Sequence, residues 1–169
     1  MWYVIQVVGG KERRVLSLIK KIVDSTAYEE CFIPQYEAMK KLKGQWRKCT
    51  EILFPGYLFL VTNHTNRLAQ ELHNVPAFTK LLSNGGQFIP LNADEIAWIS
   101  AFTRRESRII EMSEGIIEGD KVIILKGPLT SHSGLIRKID RHKRIAYLDI
   151  GMFGRTMTVK VGVEIVRKR

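Results

Sequence analysis

The residues able to do chemistry are few, and none of their spacings builds a catalytic centre. Gly9-Gly10-Lys11 has the flavour of a phosphate loop. Such a loop needs four residues between its glycines and a Ser or Thr after the lysine, and here Glu12 stands where the hydroxyl belongs. Ser131-His132-Ser133 offers a hydroxyl beside an imidazole, but no acid is positioned to orient the ring. Cys31 and Cys49 form no C-x-x-C pair, so they read as plain thiols rather than zinc ligands or a disulfide framework. His132 and His142 have no third ligand nearby and read as loop donors. The expectation is therefore a binding protein, not an enzyme, with no metal and no cofactor.

Charge and aromatic side chains carry what chemistry remains. The chain of 169 residues has a net charge of +10, unevenly spread. Residues 1–108 carry +5, residues 109–120 carry −4, and residues 121–169 carry +9. A short segment this basic suits a polyanion, with phosphate neutralisation giving salt-dependent affinity. No apolar run reaches the ~18 residues of a membrane span, and Met1-Trp2-Tyr3-Val4 lacks the features of a signal peptide. A cytoplasmic monomer with no membrane partner is expected.

The elements that must position these residues follow from periodicity. Trp2 to Val8 reads as a strand ending at Gly9-Gly10, and Lys11 to Val23 as a helix through Val15, Leu18, Ile19 and Ile22. Cys31 to Pro34 reads as a short strand. Glu37 to Leu42 and Trp46 to Leu53 flank a hairpin turn at Lys43-Gly44-Gln45. Tyr57 to Val61 is a further strand, Asn66 to His73 a helix, and Leu81 to Ile89 holds a turn at Asn84-Gly85-Gly86. A last helix runs to Phe102, with Asn92 as its N-cap and Glu95 at N3. The alternation implies an α+β domain, an antiparallel sheet flanked by helices. Beyond it, Val122–Leu125, Leu135–Ile139, Ile145–Ile150 and Met157–Val161 are short strands between Gly, Pro and Asp turns, which suggests a small closed barrel. The expected divisions are 1–108, an acidic linker at 109–117, and a barrel at 118–169.

The barrel's markers are Gly119-Asp120-Lys121-Val122, Gly127-Pro128-Leu129, Gly134, Asp140 and Phe153-Gly154-Arg155. As a set they resemble the KOW motif, an SH3-like barrel. Trp2-Tyr3-Val4-Ile5-Gln6, Phe32-Ile33-Pro34, Phe54-Pro55-Gly56-Tyr57-Leu58-Phe59 and Val75-Pro76 follow in the order of the NGN domain. Together they resemble the NusG family of transcription elongation and antitermination factors over essentially the whole chain. The basic helix after Tyr57 to Val61, the basic KOW loop, the short linker and Leu53 to Phe59 are similar to operon-specific members of the RfaH and LoaP type. Leu68-Ala69-Gln70 departs from the polar motif with which specialised members touch the second pincer of the polymerase.

The resemblance implies docking on the clamp helices of RNA polymerase at Gln6, Phe54, Tyr57, Phe59 and Phe78. Aromatic residues around a shallow groove suit capture of a helix tip. Non-template DNA is a second expected partner. Lys11, Arg13 and Arg14, with Lys40, Lys41, Lys43, Arg47 and Lys48, would meet its phosphates, and Trp46 would stack on an unpaired base. Family members use the KOW domain to bind a ribosomal protein or Rho, and Ile139, Ile150 and Phe153 match that contact. The basic rim of Lys126, Arg137, Lys138, Arg141, His142, Lys143, Arg144 and Arg155 points instead to nascent RNA. Antitermination at selected operons is the expected function. The alternatives are a general NusG factor and a ribosomal or ribosome-assembly protein.

Overall fold

The computed structural model describes residues 1–77, 79–81, 83–84 and 87–166. They form two compact units, one of Met1–Pro34 with Phe54–Ile96, the other of Gln35–Leu53 with Ala97–Arg169.

In the first unit, β1 (Trp2–Val7) leads through Gly9-Gly10 into α1 (Glu12–Ile22) and then β2 (Glu30–Phe32). β1 buries Tyr3, Val4, Ile5 and Val7, covering both of its faces, and α1 buries Val15 and Ile19, one apolar stripe at helical spacing. Lys20 and Lys21 close α1 where its dipole favours positive charge.

The chain next enters the second unit as a hairpin, β3 (Gln35–Leu42) and β4 (Gln45–Ile52). Lys43 and Gly44 both have positive φ, 50° and 79°, the signature of a two-residue turn that matches strand twist. Back in the first unit come β5 (Tyr57–Val61), α2 (Thr65–Leu72), β6 (Thr79–Leu81), β7 (Ser83–Asn84) and β8 (Gln87–Phe88). The first sheet has the order β2-β5-β1-β6, all antiparallel. The turn expected at Asn84-Gly85-Gly86 lies in part outside the described residues. The helix α3 (Ala93–Phe102) starts with the expected capping box: Glu95 N–H donates to Asn92 Oδ1 at 2.8 Å, and Asn92 N–H to Glu95 Oε1 at 2.9 Å.

The second unit continues through β9 (Ile109–Ile110), β10 (Ser113–Glu118), β11 (Lys121–Lys126), β12 (Ile136–Asp140), β13 (Ile145–Met152) and β14 (Arg155–Ile165). The five-stranded sheet runs β11-β10-β14-β13-β12, antiparallel except for β10 beside β14. Leu129, Ala146, Leu148, Met152, Val159, Val161 and Val163 fill its core. The α+β domain followed by a β-rich half-barrel is the architecture expected from the sequence.

Two features differ from expectation. Residues 109–117, expected as a linker, are mostly strand: β9 and most of β10, joined through 111–112. Ile110 and Ser113 are buried, while Glu111 pairs with Arg104 and Glu114 with Lys126 at 3.4 Å. Of the acids that suggested a solvated linker, Glu114 and Glu118 stand on β10, and Glu111 lies between β9 and β10. The β3–β4 hairpin, read as part of the first domain, is compact with the barrel. β9 pairs in parallel with β3, and Gly162 of β14 lies so close to the hairpin that a Cβ there would stand 2.2 Å from the Glu37 carbonyl oxygen.

Candidate nucleic-acid interface

Hairpin and barrel enclose a groove of about 410 Å³. Register and alternation explain what lines it. Tyr36, Ala38 and Lys40 share one face of β3, with Glu51 paired opposite Tyr36, and Lys41 pairs opposite Trp46 at the hairpin tip. The barrel contributes His142, Lys143, Ile145, Tyr147 and Lys160. Aromatic rings and cations thus surround a single acid.

The 140–144 loop is built by Asp140, whose Oδ1 accepts from Lys143 N–H at 3.0 Å. That bond, above all, holds the Asp140 carboxyl below its usual range. Arg144 adopts φ 57° at the end of the loop, and its guanidinium carbon lies 4.3 Å from the Trp46 ring centroid. This is a cation–π contact between the hairpin tip and the barrel rim. Deeper in the groove, burial and then the Glu51 charge push the Tyr36 phenol up to about 12. Tyr36 is therefore a neutral donor at physiological pH. Glu51 forms an ion pair with Lys40, and raises the lysine's pKa through that bond and its charge.

Residues assigned from the sequence to two separate ligands converge here. Trp46, Lys40 and Lys41, expected to meet DNA, stand with His142, Lys143 and Arg144, expected to meet RNA. Lys43, Arg47 and Lys48 are exposed on the same hairpin, and Lys138 and Arg141 are exposed on the barrel. Lys126, Arg137 and Arg155 are exposed but do not line the groove, and Arg137 faces Asp149 at 3.9 Å. Lys11, Arg13 and Arg14 are exposed on α1 of the first unit, where Lys11 and Arg14 edge a separate cleft of about 240 Å³ with Val8 and Pro76. Tyr36, Tyr147 and Lys160 escaped the sequence reading because only the packing of β3 on the barrel brings them together.

The expected docking face of the first unit needs correction. Gln6 is exposed and Tyr57 half-buried, directly opposite each other across β1 and β5. Phe54 and Phe59, by contrast, are core, 1% and 0% exposed. Their ring centroids are 5.5 Å apart, and Phe59 stacks on Phe32 at 5.6 Å, so neither presents its ring to a partner. Phe78 lies outside the described residues. In the barrel, Ile150 is likewise buried, whereas Ile139 and Phe153 are half-buried.

What in the sequence argued against a phosphate loop has a structural role. Glu12 is buried, and its Oε1 accepts from the N–H groups of both Gly10 and Gly56 at 2.9 Å. Burial alone would raise its pKa, but these backbone bonds outweigh it and hold the carboxyl below 4.5. The carboxylate staples the β1–α1 turn to the Phe-Pro-Gly turn that delivers Tyr57. His132 packs its ring 4.3 Å from that of Phe102. Among the described residues no cluster of ligands could hold a metal, and no helix is long and apolar enough to cross a membrane.

Residues 1–100 match the family model described as transcription termination factor nusG. The transcription termination/antitermination protein NusG of Rickettsia felis is 25% identical over 171 residues, covering 99% of this chain and 89% of that protein. That of Staphylococcus carnosus is 26% identical over 174 residues, covering 99% and 94%. Among solved structures, one described as domain interaction in Thermotoga maritima NusG is similar in fold, with a TM-score of 0.54 and 22% identity over 95% of this chain and 92% of that one.

Proposed function

We propose, for a chain that belongs to the NusG family of transcription termination and antitermination factors, that it rides on elongating RNA polymerase and promotes antitermination at selected operons. Exposed Gln6 and half-buried Tyr57, paired across β1 and β5, would meet the clamp helices, with Phe78 as a further contact. The KOW segment, 118–169, would hold nascent RNA. No covalent step is involved. Contacts made better with the closed clamp than with the open one would shift polymerase toward its processive state.

The observation that carries this reading is the convergence of Trp46 and Arg144, with Lys40, Lys41, Lys143 and Lys160, on one groove. Its cations suit phosphates and its rings suit bases. A specialised role of the RfaH and LoaP type is supported by the same concentration of charge. Non-template DNA remains the proposed partner of Lys11, Arg13 and Arg14.

A second reading is a general factor whose barrel binds a ribosomal protein or Rho. Ile123 and Leu125, 39% and 51% exposed on the edge strand β11, favour it. A salt-titrated binding assay of the full chain on structured leader RNA, with a scrambled single strand as control, separates the two. Selective binding that survives moderate salt supports the RNA reading. Weak, non-selective binding that collapses with salt supports a protein partner.

A further inference from the structure

Trp46 is 36% exposed at the hairpin tip, and one of its faces is occupied by the Arg144 guanidinium. A large indole this accessible is an expensive surface unless something covers it. The cover seen here is a polar, movable side chain rather than packed core. Lys41, Lys143 and Lys160 stand around the same groove, and none of the three carries a salt bridge among the described residues. The one acid in the lining, Glu51, is half-buried and keeps acceptor capacity beyond its bond to Lys40. At about 410 Å³ the groove lies in the size range of small-ligand sites, ~300–1,000 Å³.

We propose that this groove is a pocket for one unpaired nucleotide of a structured RNA, built jointly by the hairpin and the barrel. The base displaces the Arg144 guanidinium from Trp46 and stacks in its place. The freed guanidinium and the three lysines take the flanking phosphates. Glu51 accepts from the ribose 2′-hydroxyl, a donor that DNA lacks. A fully paired helix offers no free base face, so the pocket selects a bulge or loop. This inference rests on the proposed RNA-binding role and adds its specificity: recognition needs Trp46, which lies outside the KOW segment.

The test uses the full chain and four probes: a stem-loop RNA with a single bulged 2-aminopurine, the same stem-loop fully paired, and the DNA form of each. The bulged RNA is expected to bind roughly tenfold or more tighter than the paired one, with the 2-aminopurine fluorescence quenched on binding. Trp46→Ala should erase both preference and quench, and Trp46→Phe should keep most of each. Thermal melting should show both variants folded, since the site is at the surface. If Trp46→Ala keeps the preference and the quench, the base sits elsewhere and the pocket is refuted while RNA binding stands. If wild type binds every probe equally and only at low salt, the RNA-binding role itself fails. Preference for the bulged DNA over the bulged RNA would overturn the ribose assignment.

Discussion

The Arg144 guanidinium carbon lies 4.3 Å from the centre of the Trp46 ring, joining the tip of a hairpin in the first third of the chain to the rim of the C-terminal barrel. The contact turns two separate basic segments into one groove. Its existence depends on how closely β3 can approach β14, and Gly162 governs that approach.

Gly162→Ala should open the groove. The added Cβ would stand 2.2 Å from the Glu37 carbonyl oxygen and 2.8 Å from Met112 Cγ, and the first of these is backbone that cannot swing aside. A destabilisation of about 1–3 kcal/mol is expected. Chemical denaturation would measure it as a lower midpoint. An unchanged midpoint would mean that the hairpin does not need this close approach.

Glu12 should make stability pH-dependent at the acidic end. Its folded pKa lies below the ordinary value of 4.5. The stabilisation is therefore complete above 4.5 and is lost as pH falls through the folded value. Glu12→Gln should cost about 1.5–3 kcal/mol at neutral pH, because the charged acceptor of two backbone N–H groups is gone. The stability difference between variant and wild type should narrow on acidification. Urea unfolding at pH 7 and pH 3 gives both quantities.

Tyr57 and Phe59 sit two residues apart on one strand and should fail in different ways. Tyr57→Ala should weaken polymerase binding by about 1–2 kcal/mol while the fold survives. Phe59→Ala should lose about 3–5 kcal/mol of stability, since its ring is fully buried between Phe32 and Phe54. Calorimetry on each variant, followed by capture on core polymerase, separates docking from folding. A folded Tyr57→Ala that binds polymerase normally would remove this residue from the docking face.

Reversing Lys143 and Arg144 to Glu should abolish RNA binding without affecting polymerase association. Replacing both with Ala should flatten the dependence of log affinity on log salt by about 1.4, ~0.7 for each phosphate contact to a single strand. A slope identical to wild type would show that these side chains do not touch phosphate.

The sequence by itself determined the local elements. Helical spacing located α1, the Asn92–Glu95 pair marked the start of α3, and Lys43-Gly44-Gln45 placed a hairpin turn, which the structure makes with Lys43 and Gly44 at positive φ while Gln45 already begins β4. Turn residues and alternation likewise located β11 to β14, but not their full lengths: β13 runs on to Met152, and β14 spans Arg155–Ile165 where Met157–Val161 was expected. These are short-range effects, set by hydrogen bonds and sterics within a few residues. Three things were decided only by the tertiary structure. Most of 109–117 became strand, as β9 and β10, because β3 and β14 supplied hydrogen-bonding partners. Phe59 went into the core because Phe32 lay across from it, and Phe54 packed on Phe59 in turn, though their types alone suited a docking surface equally well. The groove formed because Gly162 admits the Glu37 backbone, bringing Trp46 beneath Arg144. Residue type tells what a side chain can do. Which partner it meets depends on packing between segments far apart in the chain, where periodicity carries no information.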